Sequence, residues 1–222
     1  MLFRSAAGTA LAVVSGPARG LLTAERTVLN LLQHLSGIAT LTAQYVERIQ
    51  GTRAVLIDTR KTLPGLRALE KHAAQVGGAR NHRLRLDDGV LIKDNHIAIC
   101  GSIRAAVERA RSGTPILTKI EVECDTLEQV RETLESGADC ILLDNMSVAQ
   151  MREAVAMANG RVPLEASGGV RLETICAIAE TGVDFISVGR ITQSAPAVDI
   201  GLDVALDVGS DVGLDVTPVP KA

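Results

Sequence analysis

The recurrence of short apolar runs separated by amphipathic segments is the feature that most constrains how this chain can fold. The runs are too short to be helices, and the segments between them carry apolar residues at helical spacing, as Leu66, Leu69 and Ala73 do. Alternating strands and helices with short connections predict a parallel sheet with right-handed crossovers. Aromatic residues make up only 1% of the chain, which suits strands buried on both faces by Ala, Val, Ile and Leu. The six predicted strands span residues 55–57, 90–92, 120–124, 140–143, 162–164 and 185–188.

An open β/α barrel fits this pattern better than a doubly wound sheet, because no GxGxxG string follows any of the runs. The net charge of −3 gives no reason to expect nucleic acid as a partner. No apolar stretch approaches the length of a membrane span. The four cysteines form no CxxC pair, which is typical of free thiols in a reducing compartment. We therefore expect a cytoplasmic protein that binds neither nucleic acid nor membrane.

Three regions are predicted along the chain. Residues 51–204 form the barrel, and residues 1–50 form the remnant of a small preceding domain. Residues 205–222 belong to a low-complexity tail, in which Asp recurs every four residues and would place like charges together on a helix.

The remnant is predicted to contain a strand over residues 9–14 and a long helix. Thr23 is a candidate N-cap, and the helix would run from there to about residue 49. So short a leading segment cannot cover the whole apolar face of this helix. We expect partial exposure of Val28, Leu31, Leu32 and Leu35.

Polar residues follow one apolar run after another, at the carboxyl end where β/α barrels build their active sites. Six such ends in succession are difficult to explain as solvated surface, so we predict one shared site. The strings are Asp58-Thr59-Arg60-Lys61, Lys93-Asp94-Asn95-His96, Glu121 with Glu123, Asp144-Asn145, Glu165-Ala166-Ser167-Gly168-Gly169 and Gly189-Arg190.

Strand alternation places Lys119, Glu121 and Glu123 on one face of the third strand, pointing into the barrel. Unpaired charges are costly there. Asp58, Arg60 or Glu165 could serve as their partners, and a satisfied salt-bridge network without any ligand is the competing interpretation for Lys119 and Glu121.

The residue types of the predicted site favour an anionic ligand. Arginine suits planar carboxylates and lysine suits phosphates. Small residues at Ser167-Gly168-Gly169 and Gly189 would let backbone N–H groups approach an anion at a helix N-terminus. Glu123 and Asp144 could hold Mg²⁺ indirectly or bind sugar hydroxyls. A phosphorylated sugar and a carboxylated partner are implied, with cations supplied by Arg60, Lys61, His82, Arg83 and Lys93.

Several strings resemble the quinolinate phosphoribosyltransferases. DTRKTLPGLR at residues 58–67 and LIKDNH at residues 91–96 are long and specific. Asn81-His82-Arg83, Leu142-Leu143-Asp144-Asn145 and Ser167-Gly168-Gly169 add to the resemblance, which extends from about residue 16 to residue 203.

This resemblance implies a type II phosphoribosyltransferase, in which an incomplete α/β barrel follows an N-terminal α/β sandwich and the active site lies at a homodimer interface. The implied reaction joins quinolinate and phosphoribosyl pyrophosphate to give nicotinate mononucleotide, pyrophosphate and CO₂ in NAD biosynthesis. A related transferase that uses another base, or an inactive remnant acting only as a binding module, are the alternatives.

The resemblance also implies residue roles. Arg60, His82, Arg83 and Lys93 would hold the quinolinate carboxylates, and Arg26 would reach into the neighbouring subunit's site. Catalytic roles would fall to Lys61, Lys93, Glu123 and Asp144, the two acids also holding Mg²⁺ directly or through the pyrophosphate. Further contacts with the substrates are implied for Thr59, Ser167, Gly168, Gly169, Val188 and Gly189.

Overall fold

Six parallel strands form one sheet in the computed structural model, which describes residues 5–204. The predicted tail over residues 205–222 lies outside the described residues. The strands are β1 (Val55–Ile57), β2 (Val90–Ile92), β3 (Ile120–Cys124), β4 (Cys140–Asp144), β5 (Leu164–Ser167) and β6 (Phe185–Ser187).

The sheet has the strand order β1-β6-β5-β4-β3-β2, so β1 and β2 are its two edges. Residues that follow β1 and residues of β2 nevertheless line the same cleft. The sheet therefore curves into a barrel that stays open between its edge strands, as the sequence predicts. Only a single bridge, between Ile57 and Arg80, extends the ladder on the open side of β1 within the described residues.

Helices connect the strands and pack around the sheet. Ile120, Val122, Ile141, Leu143 and Ile186 are almost completely buried between the two layers. Such burial on both faces explains why the strands read as near-continuous apolar runs. Within the described residues the helices are α1 (Ala18–Arg48), α2 (Arg67–Val76), α3 (Asp94–Cys100), α4 (Ile103–Gly113), α5 (Leu127–Ser136), α6 (Val148–Ala158), α7 (Ile175–Ala179) and α8 (Arg190–Gln193).

The start of α1 differs from the prediction. The helix begins at Ala18, directly after Pro17, and Thr23 is an interior residue whose hydroxyl donates to the carbonyl of Arg19 at 2.7 Å. Proline is well suited to a helix start because its N–H is not needed there, so the helix begins five residues before the predicted N-cap. Residues 9–14 are not a strand.

The apolar face of α1 is partly uncovered, as predicted. Val28 is 50% exposed and Leu32 is 48% exposed. Leu31 and Leu35 are intermediate, whereas Ile38 and Tyr45, further along the helix, are buried. The second half of α1 therefore carries most of its packing against the barrel.

The fifth strand lies later in the chain than predicted, at Leu164–Ser167 rather than at 162–164. Its register with β4 pairs Asp144 with Ser167, so Glu165 and Ala166 are strand residues rather than loop residues. Tertiary pairing thus overrides the local apolar signal. The prediction also missed α3 and α8, two short helices that begin at the carboxyl ends of β2 and β6.

Candidate active site

A cleft of about 710 Å³ opens at the carboxyl ends of the strands. It brings together all the residues to which the resemblance assigns a role except Arg26, which is an exposed residue of α1 paired with Glu25 at 2.7 Å. The residues with an implied role that line the cleft are Thr59, Arg60, Lys61, His82, Arg83, Lys93, Glu123, Asp144, Ser167, Gly168, Gly169, Val188 and Gly189. Of the other residues predicted at this end of the barrel, the cleft is lined by Asn145, Glu165 and Arg190 but not by Asp58, Asp94, Asn95, His96 and Glu121.

A buried carboxylate fixes the two segments that carry most of the cations. Asp58, at the end of β1, is fully buried and pairs with the ammonium of Lys71, which is 2% exposed. It also accepts from Asn81 Nδ2 at 2.6 Å and from the backbone N–H of His82 at 2.8 Å. Asp58 therefore joins the segment after β1 to the segment around residue 82, and it is not the partner of Glu121 or Lys119 that the sequence suggested.

Two guanidinium groups face the cleft from these segments. The Nε atom of Arg60 is buried and has no hydrogen-bond partner among the described residues. Burial and the neighbouring charge of Arg60 lower the pKa of Arg83, whose Nη1 donates to the carbonyl of Gly89 at 3.0 Å. Arginine stays charged in proteins, so this pair of like charges with an unsatisfied donor favours an anion.

Two acids line the same cleft as these arginines. Glu123, on β3, accepts from the ammonium of Lys93. Asp144, at the end of β4, accepts from the side-chain amide of Asn145 at 2.7 Å. His96 has a structural role at the start of α3, because its Nδ1 accepts the backbone N–H of Lys93 at 2.9 Å.

Glycines shape the wall of the cleft that follows β5 and β6. Gly168 has a φ of +92°, and a Cβ built on it would lie 2.2 Å from Oδ1 of Asn145. The sequence predicts that this segment opens a helix, but α7 begins only at Ile175. Gly189, in contrast, directly precedes α8 and lies against the side chain of Lys61. The absence of a side chain therefore lets Asn145 and Lys61 pack closely against the main chain at these two places.

Lys119 does not point into the barrel. It precedes β3, its side chain is 80% exposed, and it pairs with Asp139 at 3.0 Å. Because it lies outside the strand, the alternation that places Glu121 and Glu123 on the inner face does not extend to it.

The sequence did not predict that His82 meets Glu121 and Glu165. Burial opposes the charged ring, but the hydrogen bonds that the ring makes to both carboxylates outweigh it and raise the pKa of His82. Burial and the charge of Glu121 raise the pKa of Glu165 to about 7, although His82 opposes this shift. The cluster therefore holds an additional proton near neutral pH. The sequence offered two signals, the inward face shared by Glu121 and Glu123 and the expectation that Glu165 could lie beside them.

An open parallel barrel whose carboxyl end gathers cations, two acids and glycine loops defines an anion-binding α/β-barrel enzyme. Two family profiles match the chain: the C-terminal domain of quinolinate phosphoribosyl transferase at residues 38–203 and its N-terminal domain at residues 4–36. The chain belongs to the quinolinate phosphoribosyltransferase family.

Individual relatives support the membership of this family. A carboxylating nicotinate-nucleotide pyrophosphorylase from Mycobacterium leprae is 51% identical over 204 residues, which are 90% of this chain and 72% of that protein. The crystal structure of the nicotinate-nucleotide pyrophosphorylase from Ehrlichia chaffeensis is similar with a TM-score of 0.80 at 50% identity, covering 82% of this chain and 66% of that one. NadC from Streptococcus pyogenes has a TM-score of 0.79 at 45% identity, covering 83% and 65%. The chain thus spans just under two thirds of the length of these two solved structures.

Among the described residues, no helix is both long enough and apolar enough to cross a membrane.

Proposed function

We propose that this chain transfers the phosphoribosyl group of phosphoribosyl pyrophosphate to quinolinate and releases CO₂, giving nicotinate mononucleotide and pyrophosphate. The observation that carries the proposal is the pairing of Arg60 and Arg83 in one cleft, with the buried Nε of Arg60 lacking a partner among the described residues. A carboxylate supplies the acceptor that a guanidinium fork requires.

The quinolinate carboxylates are assigned to Arg60, Arg83 and Lys93, with His82 beside them. All four lie in the cleft. Two partly buried arginines can bind a dicarboxylate in one orientation and so hold its ring nitrogen toward the sugar. When the substrate enters, the ammonium group of Lys93 can leave Glu123 and bind a carboxylate of quinolinate.

The phosphate groups are assigned to Lys61 and to the glycine-lined wall at Ser167, Gly168, Gly169 and Gly189, with Thr59 and Val188 adjacent. Backbone N–H groups in such concave turns bind phosphate oxygens. The close approach required at Gly168 and Gly189 is consistent with this role.

The site also suits Mg²⁺. Glu123 and Asp144 both line the cleft and offer carboxylate oxygens, the ligands that Mg²⁺ prefers. With two protein carboxylates rather than a full cage, the ion would be held partly by substrate phosphates. When bound, it would neutralise charge on the pyrophosphate leaving group.

The reaction then depends on positioning and electrostatics. The bond between the anomeric carbon and the pyrophosphate oxygen breaks with its electron pair leaving on the pyrophosphate. The ring nitrogen donates its lone pair to the resulting oxocarbenium-like carbon, whose positive charge Glu123 and Asp144 stabilise. The positively charged ring then takes up the electrons of the bond to the 2-carboxylate, CO₂ leaves, and a proton replaces it at that ring carbon.

A homodimer with shared sites is part of the proposal. Arg26 lies outside its own chain's cleft and is 75% exposed, so it is available to a second subunit. We also assign the protein to the cytoplasm, where the free thiols of its cysteines would stay reduced.

The test is steady-state formation of nicotinate mononucleotide from quinolinate and phosphoribosyl pyrophosphate, with nicotinate as the comparison substrate. Arg60→Ala should weaken quinolinate binding by about 2–5 kcal/mol, at least about 30-fold. Arg131→Ala, which changes an exposed arginine of α5 outside the cleft, is the matched control. Equal turnover of nicotinate and quinolinate would contradict the substrate assignment.

A further inference from the structure

Three ionisable side chains meet inside the barrel, and two of them, His82 and Glu165, also line the cleft. Nε2 of His82 lies 3.0 Å from Oε2 of Glu121 and 3.3 Å from Oε2 of Glu165. Glu121 is 8% exposed and Glu165 is 2% exposed. Buried carboxylates are costly unless their charge is compensated. The imidazole of His82 lies between two of them, so the two glutamates hold the ring firmly in place.

The other ring nitrogen of His82 is occupied as well. Its Nδ1 accepts the backbone N–H of Arg83 at 2.7 Å. The ring therefore meets the main chain of Arg83 through Nδ1 and the two carboxylates through Nε2. While these bonds hold, neither nitrogen of His82 is available to a carboxylate of the substrate.

The chain of contacts leads from the barrel interior to the cleft. The two glutamates fix the ring, the ring fixes the main chain of Arg83, and the guanidinium of Arg83 extends along the cleft wall to the carbonyl of Gly89 at 3.0 Å. The opposite end of the same segment is held by Asp58, which accepts the backbone N–H of His82. The main chain of residues 82 and 83 is therefore clamped by acids from two directions.

We infer that Glu121 and Glu165 are positioning residues for the dicarboxylate substrate, acting through the ring of His82 on the placement of Arg83. This inference rests on the proposed function, since it concerns how the same cleft binds quinolinate. It also changes the role expected of His82 from a direct ligand of the substrate to the link between the acids and the arginine.

The first experiment compares Glu165→Gln and Glu121→Gln with Glu128→Gln, a control at an exposed glutamate of α5. Each glutamine keeps the shape of the side chain and removes its charge. We expect the KM for quinolinate to rise about tenfold in both cluster variants, with kcat and the KM for phosphoribosyl pyrophosphate within about twofold of the unaltered chain. The control should match the unaltered chain in all three.

The second experiment is a double-mutant cycle with His82→Asn. If Glu165 acts through His82, the combination of Glu165→Gln with His82→Asn should bind quinolinate no more than about twofold worse than His82→Asn alone. Effects that multiply in the double variant would show that Glu165 acts independently of the ring and would overturn the inference.

A third measurement needs no variant that could misfold. Glu165 is faced by Glu121, His82 and Ser187 and has a pKa near 7, and its ionised form holds the ring of His82 more strongly than its neutral form does. The KM for quinolinate of the unaltered chain should therefore fall between about pH 6 and 8. A flat profile, or an unchanged KM in the glutamine variants, overturns the inference alone. Absence of any quinolinate-dependent turnover by the unaltered chain overturns the proposed function and the inference together.

Discussion

Replacing Gly168 by alanine should damage the phosphate wall of the cleft far more than the same change at the next residue. Both glycines have positive φ, +92° at Gly168 and +61° at Gly169, and a left-handed conformation costs a non-glycine residue about 1–2 kcal/mol. A Cβ at Gly169 meets nothing within 4 Å. At Gly168 it would lie 2.2 Å from Oδ1 and 2.8 Å from the backbone N of Asn145.

The backbone contact decides the magnitude. The Asn145 N–H donates to the carbonyl of Ser167 at 2.9 Å, so the main chain cannot yield without loosening the junction of β4 and β5. Overpacking of this kind adds about 1–3 kcal/mol, and we expect Gly168→Ala to lower the free energy of unfolding by about 2–5 kcal/mol in total. Gly169→Ala should lower it by about 1–2 kcal/mol through its backbone conformation alone.

Urea denaturation of both variants measures this difference, and the KM for phosphoribosyl pyrophosphate shows whether the phosphate wall moves with it. We expect the larger rise in KM for Gly168→Ala, because its clash displaces Asn145 beside Asp144. Equal stability and equal KM in the two variants would refute the argument from close approach and leave backbone conformation as the whole effect.

Three further outcomes follow from the same contacts. Asp58→Asn should destabilise the fold by about 3–5 kcal/mol in urea denaturation, because it leaves the buried ammonium of Lys71 without a counter-ion; a loss as small as that of an exposed pair would count against the network. The folded pKa of Glu165, about 7, lies above its ordinary value of 4.5, so the folded state binds more protons between these values. The free energy of unfolding should therefore fall by up to roughly 3 kcal/mol from about pH 5 to 7, a fall that Glu165→Gln should remove in denaturation series. Mixed dimers of Arg26→Ala and Lys61→Ala protomers should regain activity that each variant homodimer lacks, and no recovery in verified heterodimers would place Arg26 outside the partner's site.

The strands could be predicted because their residues are buried on both faces. Such strands are apolar throughout, and five of the six begin at the predicted residue. Of these, β1, β2 and β3 match the prediction fully, and β4 and β6 end within one residue of it. The fifth could not be placed from its own residues. Its position depends on the pairing of Ser167 with Asp144, a long-range contact that local hydrophobicity does not encode.

The location of the site was equally predictable, because parallel strands all present their carboxyl ends to one side. Contacts across the barrel were not. The meeting of His82 with Glu121 and Glu165 joins three residues far apart in the chain, and only the curvature of the sheet brings them together. Lys119 was misplaced for a related reason, since the alternation rule applies only within the strand and its counter-ion comes from the loop before β4.

The clustered acids also explain how the cleft tolerates two adjacent arginines before a ligand arrives. The charge of Arg60 disfavours the charged form of Arg83, whereas the charges of Glu121 and Asp88 favour it. The negative charge of these acids therefore offsets part of the repulsion between Arg60 and Arg83. The offset must remain partial, because full neutralisation would leave no attraction for a dianion. A cluster that keeps an additional proton near neutral pH supplies such a partial offset. The two carboxylates of the substrate would then neutralise the positive charge of the arginines that remains.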